Sequence, residues 1–274
     1  METAIRALAV ATPLAYLVAA ASYLGRFFRG KEIPRGLLRV TLVAALILHG
    51  ALLSLLTSHR GSLPLTQAFE GLSGVAFALV LVYLSIEVVI GQTSTGFFLL
   101  ALAFAFTAVA APSTDLDAPY RPDLAGPIFG IHVLTAMLGC SAAAMSAVYG
   151  LLYLFLHRQL KGGRFGTFYR RLPPLDVLEK ITGWSALVAF ATLSVAIPLG
   201  LIELRRSHGT FWLWDGKILT GVATWVVFGA VWASRRWFGW SGRRLAYGSL
   251  AGFTLVLVSL GVVNVFFTEF HWFG

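Results

Sequence analysis

From residue 207 to residue 217 the chain reads Ser-His-Gly-Thr-Phe-Trp-Leu-Trp-Asp-Gly-Lys, placing two indoles, an acid and a base in one short stretch between two apolar runs. In an extended backbone Trp212 and Trp214 project the same way, whereas a helix would turn them about 200° apart. Side by side they form a flat apolar platform with N–H groups at its edge. Asp215 and Lys217 set one charge of each sign beside it. The tryptophans alone equally suit an interfacial aromatic belt, common where helices leave a bilayer. What else lies at that level separates the two readings.

The elements that position this stretch are set by composition. Hydrophobic residues make up 58% of the 274 and charged residues only 12%; the mean hydropathy is +0.80. Such a chain is an integral membrane protein, since a spanning helix needs about 20 mostly apolar residues. Apolar runs occupy 5–27, 37–56, 72–90, 97–111, 128–156, 181–202, 218–233 and 245–267, bounded by charges or by Gly and Pro clusters. The expected fold is therefore an all-α integral membrane protein of about eight transmembrane helices, a single polytopic domain over 1–274. The fourth and seventh runs are short and are expected to extend into their loops, while the fifth is long enough to tilt or project. The first run is too long, and lacks a small-residue cleavage site, for a removed signal peptide.

Short loops rich in Lys and Arg stay on the cytoplasmic side. One set of connections holds Arg26, Arg29, Lys31, Arg35 and Arg39, then Arg158, Lys161, Arg164, Arg170, Arg171 and Lys180, then Arg235, Arg236, Arg243 and Arg244. The opposite set holds Arg6, Arg60, Arg121, Arg205, Arg206 and Lys217. Both termini are thus expected outside, together with the tryptophan-rich segment between helices six and seven. The net charge of +9 reflects this topology and attraction to anionic lipid; it implies no nucleic-acid partner. The longest cytoplasmic connection, 157–180, carries Gly162-Gly163 and Pro173-Pro174 and is the natural hinge or partner surface.

On this topology the six histidines sort by level. His132 lies near the outer start of the fifth span and His271 follows the outer end of the eighth. They fall at the same membrane face as Trp212 and Trp214, one before and one after them in sequence. Two imidazoles framing an aromatic platform suit a planar, apolar, acid-bearing metal macrocycle, which needs axial nitrogen ligands, indoles against its ring and cations for its propionates. Haem fits that description, with His132 and His271 as its metal ligands. His49 sits mid-span in the second run, where an ionisable group is costly and faces a bundle interior. It reads either as a haem ligand or relay, or as a neutral imidazole hydrogen-bonded to a neighbouring helix, with Glu87 either its charge partner or a group reaching the interface. His59 reads as interfacial, His157 as solvated among cations, and His208 as part of the aromatic segment.

Enzymatic motifs are absent. The one cysteine, Cys140, rules out an intramolecular disulfide and Cys-x-x-Cys chemistry. There is no Cys-x-x-Cys-His, no Gly-rich phosphate loop, no HExxH and no nucleophile elbow, and no internal repeat of the kind a secondary transporter shows. No residue is assigned as catalytic.

Trp212, Trp214 and Asp215, preceded by Gly209 and followed by Lys217 and Trp225, resemble the "WWD" segment of the cytochrome c assembly proteins, the haem-handling membrane family that includes CcsA, CcmC and HemX-like members. Leu172-Pro173-Pro174-Leu175-Asp176 resembles the family's lead-in to the preceding helix, and Gly239-Trp240-Ser241-Gly242-Arg243-Arg244 its Gly-Trp-x-Gly-Arg-Arg turn. Ile131-His132-Val133 and Phe270-His271-Trp272 are similar to its two external histidine sites. The resemblance is strongest over about 127–274. It implies transient binding of haem b at the outer face of a bacterial inner membrane, by His132, His271, Trp212, Trp214, Asp215, Lys217, Gly209 and Trp225, with His49 added from its mid-span position. It further implies delivery to apocytochrome c alongside a ResB/CcsB-type membrane subunit, or, as in some HemX-like members, control of tetrapyrrole synthesis; a small-molecule permease is a third class. The protein would present haem or serve as a lyase-complex subunit, not act as a self-sufficient enzyme. Two departures stand out: where CcsA-type relatives read Trp-Asp-Pro-Lys-Glu, this chain has Gly216 and Ile218, and where they carry an intramembrane histidine it reads Val231-Trp232-Ala233.

Overall fold

The computed structural model describes residues 1–29, 32–61, 70–114, 116, 126–163, 165–208 and 215–263. All regular structure among them is helical: α1 (Glu2–Arg29), α2 (Arg35–Arg60), α3 (Glu70–Ile90), α4 (Gly96–Ala110), α5 (Pro127–Lys161), α6 (Thr167–Arg171), α7 (Leu175–His208), α8 (Gly216–Phe238) and α9 (Arg243–Leu257). Over its described residues each of the eight apolar runs is helical, and seven of the helices are long and apolar enough to cross a membrane. The protein is an all-α, multi-pass membrane protein.

The two short runs diverge. The seventh extends as expected, because Asp215 caps α8 at one end and Gly239, at φ 62°, stops it at the other. The fourth does not. α4 stays at 15 residues, about 22 Å at 1.5 Å per residue, short of the ~30 Å hydrocarbon core. A 3-10 turn containing Pro112 follows it directly, and proline cannot continue the ladder. α5, at 35 residues, measures about 52 Å and exceeds the core.

The chain divides into two compact units, the first comprising 1–121 with 166–173 and the second 122–165 with 174–274. In the first, α1 packs on α2 and α4, and α3 packs on α4. α2 shows the membrane pattern of apolar residues on both faces: Leu37, Val40, Val43 and Ile47 face outward while Leu38, Leu42 and Ala45 are buried. The polar groups lie inside. His49 is fully buried, its Nδ1 hydrogen-bonded to the Tyr16 hydroxyl at 2.9 Å and its Nε2 to Ser73 at 2.9 Å. Glu87 accepts from the hydroxyls of Tyr23 at 2.5 Å and Tyr83 at 2.9 Å and lies 3.5 Å from Arg39. Arg39 is thus its charge partner. Buried Arg60 pairs with Glu70 in the same way, as groups withdrawn from water must.

In the second unit α5 is the central helix, packed on α7 and α9. The middle of its buried face is rich in small residues, Gly139, Ala142, Ala143, Ala144, Ser146, Ala147 and Gly150, so neighbouring backbones approach closely. A Cβ on Gly150 would stand 3.2 Å from the Ala246 Cα. Ser146 ties three helices together, hydrogen-bonded to the Thr182 carbonyl at 2.9 Å and the Ser249 hydroxyl at 2.8 Å. α9 ends in a π-helical turn over Val258–Val263, a local distortion frequent at functional sites.

Candidate functional site

A cavity of about 180 Å³ opens within the second unit, walled by α5, α7, α8 and the π turn. His132, Ala136 and Cys140 line it from α5 at i, i+4 and i+8, one face of the helix. Gly200 and Leu204 line it from the end of α7, Lys217 and Thr224 from the start of α8, and Ser259 from the π turn. Most of the remaining wall is Leu, Ile and Val. A few polar groups on an apolar surface are what orient a bound molecule.

His132 is held in a defined state. Its Nδ1 lies 2.8 Å from the Ala196 carbonyl, and a carbonyl only accepts, so Nδ1 carries the proton. In the neutral ring the lone pair therefore lies on Nε2, the arrangement that metal-ligating histidines adopt when a backbone carbonyl fixes their tautomer. Gly200 makes the pose possible: a Cβ there would stand 2.6 Å from His132 Cε1.

Asp215 and Lys217 separate in role although two residues apart. Asp215 is buried, and its Oδ1 accepts from the backbone N–H of Lys217 at 2.9 Å and of Ile218 at 3.3 Å, capping α8. Lys217 lies in the first turn of that helix, where the macrodipole disfavours a cation. Its side chain lines the cavity that His132 lines. Trp225 turns elsewhere, stacking on Phe190 at 5.4 Å and donating from Nε1 to Ser194 at 2.8 Å. Gly229 makes room for Phe190, which also stacks on Trp232 at 5.9 Å.

Trp212, Trp214, Gly209 and His271 lie outside the described residues. The helix ends that 209–214 joins, at Leu204 and Lys217, both contribute to the cavity wall. Among the described residues no group of three or more His, Cys, Asp or Glu side chains converges as a closed metal site. A haem iron needs no such cluster, since the porphyrin supplies the equatorial nitrogens and the protein only axial ligands. One imidazole of fixed tautomer, a cation and apolar walls fit that requirement. Cys140 and Gly200 were not assigned to the site from sequence. The i, i+8 spacing of Cys140 from His132 was a signal for the first; Gly200 acts through an absent side chain and left none.

The profile of the family described as Cytochrome C assembly protein matches residues 7–271. Curated relatives named "Cytochrome c biogenesis protein CcsA" align over most of their length. That of Prochlorococcus marinus (strain MIT 9303) is 26% identical over 268 residues, covering 86% of this chain and 84% of the relative. That of Synechococcus sp. (strain CC9902) is 25% identical over 265 residues, covering 87% of each. That of Porphyra purpurea is 25% identical over 292 residues, covering 90% of this chain and 92% of the relative. A family match from residue 7 to residue 271 takes in both units, and on it the chain belongs to the cytochrome c assembly protein family.

Proposed function

We propose that this protein binds haem b transiently at the cavity of the second unit and supports its delivery for c-type cytochrome assembly at the outer face of a bacterial inner membrane. The observation that carries this reading is the carbonyl-fixed tautomer of His132 in a cavity shared with Lys217. His132 and His271 are the residues that would hold the iron. Lys217 would receive a propionate, a use for a cation in a helix turn that disfavours one. The cavity, about 180 Å³, is smaller than the roughly 300–1,000 Å³ that encloses a whole ligand. It would take part of the macrocycle, and Trp212, Trp214 and Gly209 would hold the remainder.

When bound, haem would supply the iron and the vinyl groups used in thioether formation, and the apocytochrome the thiols. This chain orients the ring and holds it against solvent. Asp215 serves by fixing the start of α8, and Trp225 by stiffening the α7–α8 contact. His49 enters as a candidate relay only if iron displaces Tyr16 or Ser73 from its ring. The relatives' printed name, cytochrome c biogenesis protein, supports the same direction. Apocytochrome c and a ResB/CcsB-type subunit are the partners this reading requires.

The test is functional. Cells lacking their own CcsA-type protein, supplied with this chain and a ResB/CcsB-type subunit, should accumulate cytochrome c carrying covalent haem. His132→Gly should reduce that yield at least tenfold with the protein level unchanged. Normal yield from His132→Gly would remove the cavity from the pathway.

A further inference from the structure

At the opposite end of the second unit from the haem cavity lies a larger and more open one, of about 540 Å³, between the end of α5 and the turn from α8 to α9. Its lining includes His157, Trp240, Ser241, Arg243, Arg244 and Tyr247. The turn is rigid. Gly239 and Gly242 both adopt positive φ, 62° and 57°, and the Gly242 N–H is held by the Glu179 carboxylate at 2.9 Å. A side chain at Gly242 would run into the Tyr153 ring, so the loop lies directly against α5.

Charge in this cavity is unbalanced. Glu179, the nearby carboxylate, is occupied by the loop backbone. Arg243 and Arg244 have no carboxylate at ion-pair distance among the described residues. Arg244 instead lies 5.9 Å from the centroid of the Trp240 ring. Tyr153 and His157 stack nearly parallel, 9° apart, along the α5 side. Trp240 and Tyr247 are 38% and 55% exposed and sit where apolar helices end in a cation-rich turn, the level that amphipathic aromatics occupy at a bilayer surface. Basic pockets between transmembrane helices at that level bind anionic lipid head groups.

We infer that this cavity is a binding site for the phosphate-bearing head group of an anionic phospholipid, with Arg243 and Arg244 pairing its phosphate and Trp240 and Tyr247 packing against the glycerol and upper acyl chains. Guanidinium groups suit a phosphate because their forked donors match its oxygens. The site is independent of the haem reading: it lies on other residues at the other end of the unit.

The experiment is lipid retention by the full-length protein, measured by native mass spectrometry after exchange into nanodiscs containing phosphatidylglycerol and phosphatidylcholine in equal amounts. The wild type should retain phosphatidylglycerol in preference. Arg243→Gln with Arg244→Gln should lower that preference by roughly thirtyfold, a size set by two cations at a membrane surface. Arg243→Lys with Arg244→Lys should keep part of it. Arg158→Gln with Lys161→Gln, which removes the same charge from the end of α5, should leave it unchanged; an equal loss there would reduce the effect to general surface charge and overturn the site. Loss of retained lipid on adding millimolar inorganic phosphate would also overturn it, by identifying a soluble anion as the occupant. Circular dichroism confirms folding of each variant, and a folded Gln pair with wild-type lipid preference contradicts the proposal.

Discussion

Asp215 has a structural role that its charge alone does not reveal. In the sequence it stands beside the tryptophans as an acid; in the structure its Oδ1 caps α8. Asp and Asn cap equally well, and Ala loses about 1 kcal/mol. Thermal unfolding in detergent should therefore rank Asp215→Asn with the wild type and Asp215→Ala below both. A melting temperature for the Asn variant as low as that of the Ala variant would mean that charge, not the cap, holds the helix end. Gly200 offers a second test at this scale. Gly200→Ala brings a Cβ to 2.6 Å from the His132 ring, so the ring must move and its bond to Ala196 must weaken. Haem per folded protein should fall several-fold although no ligand has been changed. His49 gives the third: His49→Phe leaves Tyr16 and Ser73 without their partner, a loss of about 1–3 kcal/mol. The hydrogen-bonded role predicts lower stability with the haem spectrum kept, and loss of the spectrum at unchanged stability would assign the ring to the iron.

At the scale of helices, hydropathy located each long helix, but it does not fix the ends, because ends are set by caps and breakers. The run at 218–233 looked too short; α8 reaches Gly216–Phe238 by taking in Lys217, Ser234, Arg235 and Arg236, which no apolar window counts. The run at 97–111 carried the same expectation and met Pro112 instead. The site was legible to a similar degree. His132 and Lys217 stood out as polar groups at the edges of apolar runs, and the cavity joins them. The contact that fixes the His132 tautomer is made by a backbone carbonyl, on a helix some 60 residues away in sequence, at 2.8 Å; side-chain identity does not encode it. The small-residue face of α5 supports a prediction about the scaffold. Gly150→Val forces a branched side chain against the Ala246 backbone and should cost about 1–3 kcal/mol by overpacking. Unfolding should show it, and a neutral effect would mean that α5 and α9 can part there without loss.

For the molecule as a whole, the two units distribute polar chemistry differently. The first buries His49 and Glu87 among hydroxyl groups, with Arg39 beside the Glu87 carboxylate. The second leaves a histidine and a lysine lining an apolar cavity. On the cation distribution that cavity is expected outside, an expectation that substituted-cysteine labelling tests. In a Cys140→Ala background, a cysteine at Ser207 should react with an impermeant thiol reagent on intact cells, and one at Gly163 only after the cells are opened. The reverse pattern would put the tryptophan segment on the side where haem is made and turn an external presenter into a cytoplasmic sensor or donor.

The absorption spectrum of the purified protein tests haem ligation most directly. The wild type should carry low-spin haem with two imidazole ligands. His132→Gly should lose most of it at unchanged folding and recover part of the spectrum when imidazole is added, and His271→Gly should behave alike. A His132→Gly protein that retains wild-type haem content and an unchanged spectrum would contradict the assignment of the cavity.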